Sequence, residues 1–173
     1  MHNLPGTGDG MRVVVVSDSG STSGIDVRLA SLTFTGGDIL GDGGGILNLE
    51  NLVLVDSRVV GNHADRGGGI FSDTGSLIIR RSVVEDNTAG RNFRSGGGIF
   101  NREADVVIET TTLRGNQASE GGGVFNEAGN LDIIQSTISG NHATDSGGGI
   151  YNGYGMANIL SSTISVVIRI GAT

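Results

Sequence analysis

Acidic residues stand just before four glycine-rich runs of the sequence, at Asp42, Asp65, Glu120 and Asp145. Paired carboxylates hydrolyse glycosidic bonds, and about 5 Å between them suits a retaining mechanism, whereas separations up to about 9.5 Å suit an inverting one. If the runs stack at the spacing of β-strands, about 4.8 Å, Glu120 would lie one spacing from Asp145 and two from Asp65. For an enzyme, the sequence therefore predicts Asp65, Glu120 and Asp145 as the catalytic residues.

The longest turn before a glycine run reads "GRNFRS" and supplies groups that could hold a ligand beside those carboxylates. Guanidinium groups pair with the carboxylate of an acidic sugar, and an aromatic ring can stack on a sugar ring. Arg91, Phe93 and Arg94 are therefore predicted to bind the ligand. A second interpretation stays open and is favoured: turns prefer Asp and other polar residues, so the acidic edge is a solvated row of turns.

A repeat must position these residues, because the sequence contains several close copies of one segment. The copies include "GNHADRGGGIF", "GNQASEGGGVF" and "GNHATDSGGGIY". The aliphatic residue after each glycine triplet recurs at steps of 24, 29, 25 and 26 residues, at Ile46, Ile70, Ile99, Val124 and Ile150. An asparagine keeps nearly the same period, at Asn62, Asn87, Asn116 and Asn141. A period in this range is typical of solenoids.

The segments between the glycine runs have the composition of β-strands. Stretches such as "LIIRRSVVEDN" and "VVIETTTLRGN" are rich in Val, Ile and Thr. Counted back from each Asn, the third, eighth and tenth residues are always apolar and fit one buried face. A unit of this length cannot bury that face alone, so the units must stack in parallel. The sequence predicts an all-β, single-stranded parallel β-helix of about six coils.

The coils are expected to form one domain over residues 1–173. Residues 1–24 are predicted to form a partial first coil, residues 25–165 regular coils and residues 166–173 an atypical end. We expect the chain to be a fragment of a longer protein, because it shows no export signal and ends abruptly. Uncapped coil ends would expose strand edges, which predicts end-to-end or edge-mediated association into a homo-oligomer.

Stacking would place each repeated residue above its own copy. Asparagine amides can then form a hydrogen-bonded ladder, and Asn also tolerates the left-handed backbone of a tight turn. The aromatic residues after the triplets are predicted to form a second ladder. Charged residues would pair between coils, as Arg80 with Glu109, Glu85 with Arg114, and Asp56 with Arg81.

The repeat pattern, an aliphatic residue, two variable residues, Asn-x-Ala and then Gly-Gly-Gly-Ile, resembles a known group of repeats. It is similar to the right-handed parallel β-helix repeats of bacterial surface proteins, in the polymorphic outer-membrane protein and autotransporter-passenger group of the pectate-lyase-like superfamily. Those repeats typically carry Phe-x-x-Asn and Gly-Gly-Ala-Ile. The resemblance covers about residues 25–165. It implies a right-handed coil and an extracellular or cell-surface location.

Composition excludes several other classes of protein. The net charge of -7 and the absence of Lys argue against nucleic acid as a partner. The chain has no Cys, hence neither disulfides nor thiol ligands. No apolar run is long enough for a membrane span. His63 and His142 belong to coils that are not adjacent, so we expect no metal site and no cofactor.

Two functions remain open from the sequence. The first is a structural, adhesive or glycan-binding module of a secreted or cell-surface bacterial protein. The second is a polysaccharide hydrolase or lyase that acts from the acidic turn edge. A polysaccharide is the expected ligand of the glycan-binding module and of the enzyme.

Overall fold

The structure is a computed structural model that describes residues 10–18, 24–90 and 95–166. Within those ranges it contains strands, bridges and turns and no helix. The predicted all-β class is therefore confirmed.

Twenty-one short strands follow one another around the coils. The first three coils contain β1 (Val14–Val16), β2 (Asp26–Ala30), β3 (Thr33–Thr35), β4 (Ile46–Asn48), β5 (Asn51–Val55), β6 (Arg58–Val60), β7 (His63–Ala64), β8 (Ile70–Ser72), β9 (Ser76–Arg80), β10 (Val83–Glu85) and β11 (Thr88–Ala89). The next three contain β12 (Ile99–Asn101), β13 (Asp105–Glu109), β14 (Thr112–Arg114), β15 (Gln117–Glu120), β16 (Val124–Asn126), β17 (Leu131–Ile134), β18 (Thr137–Ser146), β19 (Ile150–Asn152), β20 (Ala157–Leu160) and β21 (Thr163–Val166).

The described strands form three parallel sheets that run the length of the stack. The first sheet has the order β1-β4-β8-β12-β16-β19, and the second β2-β5-β9-β13-β17-β20. The third contains β3, β6, β10, β14, β18 and β21, and it is extended by β7, β11 and β15 through the long strand β18. Six strands in a sheet enclose about five full turns, close to the predicted number. The parallel β-solenoid is confirmed, and its right-handed sense stays a prediction.

The interior of the solenoid is aliphatic. The three apolar rows predicted from the repeat are each at most 1% exposed, and they comprise Leu52, Leu77, Val106 and Leu131; Leu54, Ile79, Ile108 and Ile133; and Val59, Val84, Leu113 and Ile138. The residue after each glycine triplet joins them from the first sheet. Because the strand register pairs Ile108 with both Ile79 and Ile133, like residues pack directly above like.

A buried asparagine ladder closes one corner of each coil. The side-chain Nδ2 of Asn62, Asn87 and Asn116 donates to the Oδ1 of the next Asn at 3.0, 3.0 and 2.9 Å. The backbone N–H of each donor residue bonds the same oxygen at 3.0 Å. The amide also donates to a carbonyl of the preceding coil, as Asn116 does to Val84. The predicted ladder is confirmed.

The left-handed backbone expected at these asparagines lies one residue earlier. Positive φ angles occur at Gly61 (65°), Asp86 (53°), Gly115 (66°) and Gly140 (62°). Since the N–H of each Asn must point to the next coil, the bend is completed before it, and Gly meets that need without steric cost in three of the four coils.

A row of hydroxyl residues closes a second corner. The hydroxyl oxygens of Ser82, Thr111, Ser136 and Ser162 accept the backbone N–H of their counterpart in the preceding coil, at 3.0 to 3.3 Å. The residue before each bends with positive φ, as at Arg81 (46°) and Thr110 (49°). The hydroxyls therefore fix the bend at this corner.

The two later glycines of each triplet are required by close stacking of the coils. A Cβ added at Gly97 would lie 2.4 Å from the carbonyl oxygen of Gln117 and 2.6 Å from that of Gly122. Gly98 would meet Gly123 O at 2.6 Å. Only the first glycine, Gly96, has a positive φ, of 54°. The triplet therefore serves one turn and two close contacts.

Candidate functional site

The predicted acidic edge is not one continuous row of carboxylates. The residues directly before the glycine triplets form one column through bridges and hydrogen bonds between coils, and they are Asp42, Arg66, Ser95, Glu120 and Ser146. Asp65 and Asp145 each lie one residue before that column. Of the three residues predicted to be catalytic, the column contains Glu120 alone.

Glu120 is paired with Ser146, one residue beyond the predicted partner Asp145. The Ser146 hydroxyl lies 3.5 Å from Glu120 Oε1. Two residues separate Ala118 from its glycine triplet, but three separate Ala143 from the next one. The extra residue is absorbed as a register shift after Ala118, and Asp145 falls within it. The predicted stacking of Glu120 on Asp145 is therefore corrected.

The residue that lies against Asp65 in the next coil is a glycine, Gly90. Its backbone N–H donates to Gly41 O at 2.8 Å, and a Cβ added at Gly90 would lie 3.3 Å from its Cα. The coil between Asp65 and Glu120 thus adds no carboxylate at the described residues Gly90 and Ser95. Ser95 is buried and its hydroxyl pairs with that of Ser119 at 2.7 Å. The predicted ligand-binding residues Arg91, Phe93 and Arg94 lie outside the described residues.

Arg66 occupies this edge and was missed by the sequence analysis. Its guanidinium donates two hydrogen bonds, each 2.7 Å long, to the carboxylate of Asp42. It also lies over the rings of Phe71 and Phe100, 5.1 and 5.4 Å from their centroids. This arrangement combines a bidentate ion pair with cation–π contact. The edge near Asp65 therefore carries positive as well as negative charge.

The aromatic residues form the predicted second ladder, apart from the aliphatic core. Phe71, Phe100, Phe125 and Tyr151 stack with centroid distances of 5.1, 5.0 and 4.8 Å and nearly parallel rings. The three phenylalanines are at most 2% exposed. The ladder ends among the described residues at Tyr151, which is half-buried.

A recess opens at the Tyr151 end of this ladder. It has a volume of about 130 Å³ and is lined by Phe125, Glu127, Tyr151, Gly153 and Tyr154. Backbone hydrogen bonds fix its walls, because the N–H of Tyr154 donates to Glu127 O at 2.7 Å and that of Gly153 to Asn126 O at 2.8 Å. A Cβ at Gly153 would lie 2.9 Å from Glu127 O, so the glycine keeps the walls close. The repeat pattern does not predict this recess, since Tyr154 has no aromatic counterpart in other coils.

Ion pairs between coils account for the predicted charge neighbours. Arg80 and Glu109 lie 2.7 Å apart, and Arg81 and Asp56 lie 2.8 Å apart. Glu85 is buried and pairs with both Arg114, at 2.6 Å, and Arg58. The hydrogen bond from Arg58, supported by Arg114, holds the pKa of Glu85 below its ordinary value against the opposing effect of burial. All three predicted pairings are confirmed.

The described residues contain no group of three or more His, Asp and Glu side chains that could hold a metal ion. His63 Nδ1 lies 3.1 Å from Asp38 Oδ1 instead. They also contain no helix of the length and apolarity that a bilayer crossing needs.

Comparison with known proteins finds similarity to one repeat family. Residues 135–153 match the Chlamydia polymorphic membrane protein repeat. Comparisons with curated proteins and with solved structures give no significant match. The matched stretch contains Asn141, the last member of the asparagine ladder, and the glycine triplet that follows it. This part of the parallel β-solenoid is therefore similar to a repeat of a bacterial outer-membrane or surface protein family.

Proposed function

We propose that the chain is a structural module of an extracellular or cell-surface bacterial protein, in which the stacked coils act as a rigid spacer. The buried asparagine ladder carries this proposal. The side-chain amides of Asn62, Asn87 and Asn116 each donate to the next coil and to the preceding coil, so the repeated polar residues serve stacking. The similarity of residues 135–153 to a surface-protein repeat supports the location.

The regularity of the stack supports a spacer in particular. Each coil contacts its neighbours through parallel strands in the same register, with shifts confined to β15 and β18. Stability in such arrays is approximately a sum of unit and neighbour terms, and each unit adds length at a fixed rate. A solenoid of this kind can therefore be lengthened by whole coils without a change of fold.

A distance measurement tests the spacer. The chain has no Cys, so spin labels at Thr35→Cys and Ser165→Cys are specific. Both residues are exposed and belong to one column, through Val60, Glu85, Arg114 and Ser139. Five strand spacings separate them, or about 24 Å between Cα atoms. Electron–electron dipolar spectroscopy should give a narrow distribution of distances between the two labels. Its centre should lie near that value after correction for the length of the label side chains.

A duplicated coil provides the decisive comparison. A second copy of residues 108–132 preserves the register, because Ile108 and Ile133 occupy the same position in adjacent coils. The label distance should then increase by about 4.8 Å and stay narrow. A scrambled insert of equal length and composition is the control and should broaden the distribution. An unchanged distance with the duplicated coil would refute the rigid spacer.

The enzymatic alternative stays a prediction, with Asp65, Glu120 and Asp145 as carboxylates and Arg91, Phe93 and Arg94 as ligand-binding residues. A panel of neutral and acidic polysaccharides, assayed for reducing ends and for unsaturated products, tests it directly. Turnover that Glu120→Gln abolishes, but Glu109→Gln on another face preserves, would establish the enzyme. We expect no turnover from the wild-type chain, because Glu120 is aligned with Ser146 rather than with a second carboxylate.

A further inference from the structure

The recess at the end of the aromatic ladder has the properties of a binding site for a ring-shaped ligand. Three aromatic residues line it, and they are Phe125, Tyr151 and Tyr154. The side chain of Tyr154 is largely free, since the residue is 82% exposed. An aromatic ring that is so exposed beside a concave surface is available for stacking on a ligand. Ligand sites typically combine such apolar walls with a few polar groups.

The volume limits the ligand to a single ring. A cavity of about 150 Å³ holds benzene, and this recess is slightly smaller, at about 130 Å³, and open on one side. The recess therefore accommodates one face of a single six-membered ring, and the rest of that ring lies at its open side. The rest of a larger ligand would extend into solvent past Tyr154.

The polar groups of the recess and the net charge of the chain indicate which kind of ring would bind. Tyrosine offers an apolar face and a hydroxyl that donates and accepts hydrogen bonds. Glu127 lines the same recess, and an ionised carboxylate is an acceptor for the hydroxyl groups of a ligand. The C–H groups on one face of a pyranose pack on an aromatic ring, and its hydroxyls donate to a carboxylate. Glu127 and the net charge of -7 disfavour an anionic sugar.

We propose that Tyr151, Tyr154 and Glu127 form a binding site for one neutral hexopyranose residue of a glycan. The site gives the solenoid an adhesive contact point, and it goes beyond the spacer role and does not depend on it. A single ring in a small, open recess makes few contacts, so its affinity is low, with a Kd on the order of 1 mM. Repetition of the contact on a cell surface would raise the avidity.

Tyrosine fluorescence reports on this site specifically. The chain has two Tyr and no Trp, and both tyrosines line the recess. The probes are the methyl glycosides of glucose, galactose and mannose, with glucuronic acid as the anionic comparison. At least one neutral glycoside should give a saturable change in emission, and glucuronic acid should bind more weakly or not at all.

Substitutions separate the site from non-specific effects. Tyr154→Ala should weaken binding about tenfold or more, because it removes a stacking face, and Tyr151 still reports the signal. Tyr154→Phe should retain most of the affinity, and Glu127→Gln should weaken binding of the neutral glycoside. Met156→Ala is the matched control: Met156 lies in the same coil and is 67% exposed but lines a different groove. Its binding should equal that of the wild type.

Three outcomes would overturn the proposal. One is a linear, non-saturating response to all the neutral glycosides. Another is equal affinity of the wild type and Tyr154→Ala for the neutral glycoside. In that case the glycoside would also leave the Gly153 and Tyr154 amide signals of the wild type unshifted in a ¹H–¹⁵N spectrum. The third is a change in tyrosine emission that follows protein concentration without sugar, which would assign the recess to a second copy of the chain. None of these would alter the label distances that test the spacer.

Discussion

Glu85 is a buried carboxylate whose partners reach it from the surface. Its side chain is 4% exposed, whereas those of Arg58 and Arg114 are 56% and 60% exposed. The arginines thus remain largely solvated while they neutralise a charge that burial alone would disfavour. Glu85 therefore links three coils through one carboxylate.

Replacement of Glu85 by Gln should destabilise the fold at neutral pH by about 1–2 kcal/mol, since charge-assisted hydrogen bonds are lost but the arginines stay hydrated. The folded-state pKa of Glu85 is lowered. Its contribution is therefore complete above the unfolded-state pKa, about 4.3, and disappears as the pH falls through the folded-state pKa. Urea unfolding across this range should show wild type and Glu85→Gln converging on acidification.

Glu109→Gln is the matched control, because the Glu109 side chain is 36% exposed and forms its ion pair with Arg80 at the surface. Surface pairs contribute about 0–1 kcal/mol, so this variant should be nearly as stable as the wild type. Equal losses at Glu85 and Glu109 would contradict the importance given to burial.

A larger loss of stability is expected when one residue of the asparagine ladder is replaced. Asn116→Ala removes the acceptor of two Asn87 N–H groups and the donor to Val84 O, all buried. Buried groups left unsatisfied cost about 1–3 kcal/mol each, so we expect a total loss of about 3–5 kcal/mol in chemical denaturation. Asn130→Ala, which removes an exposed hydrogen bond to Asp105, should change stability by about 0.5 kcal/mol or less.

The turns between strands depend on glycines of two kinds. Gly140 needs its left-handed backbone, with φ of 62°, but has open space around the Cβ position. Gly97 lacks that conformation and instead contacts carbonyl oxygens of the next coil. The same residue type thus meets a conformational need at one turn and a steric need at another.

These two glycines should respond differently to Ala. Gly140→Ala should cost about 1–2 kcal/mol, the price of a left-handed residue with a Cβ. Gly97→Ala should cost about 3 kcal/mol or more, because the obstructing atoms are backbone and cannot rotate away. Thermal unfolding followed by circular dichroism measures both. Equal effects would contradict the steric role assigned to Gly97.

The elements could be predicted from the sequence wherever they repeat. Rows such as Leu54, Ile79, Ile108 and Ile133 recur in every coil, because like residues pack on like. The register around Glu120 was not predicted, although its signal is the extra residue between Ala143 and its glycine triplet. The recess at Tyr154 leaves no periodic signal, since the corresponding backbone position in the preceding coil holds Ala128.

At the scale of the molecule, whole coils should be removable units. Deletion of residues 108–132 joins Val107 to Ile133 and keeps every later residue in its column. Stability in a stacked array is approximately additive, so the shortened chain should fold and lose about 1–4 kcal/mol, the share of 25 average residues. Circular dichroism and urea unfolding should show a cooperative β-protein.

Deletion of residues 108–131 is a control that differs by one residue. It places Asp132 in the inward position of Ile108, so that a carboxylate would enter the aliphatic interior. An unpaired buried charge costs several kcal/mol, and this variant should not unfold cooperatively. Equal stability of the two deletions would contradict the requirement for register.

The central claim is that identical side chains stack directly on one another along the solenoid. Scalar couplings across hydrogen bonds, measured by NMR on ¹³C,¹⁵N-labelled protein, test it most directly. The structure predicts correlations from the side-chain amide nitrogens of Asn62, Asn87 and Asn116 to the side-chain carbonyl carbons of Asn87, Asn116 and Asn141, respectively. Amide nitrogens that correlate with carbonyl groups elsewhere, or that exchange freely with water, would contradict the ladder and with it the account of the fold.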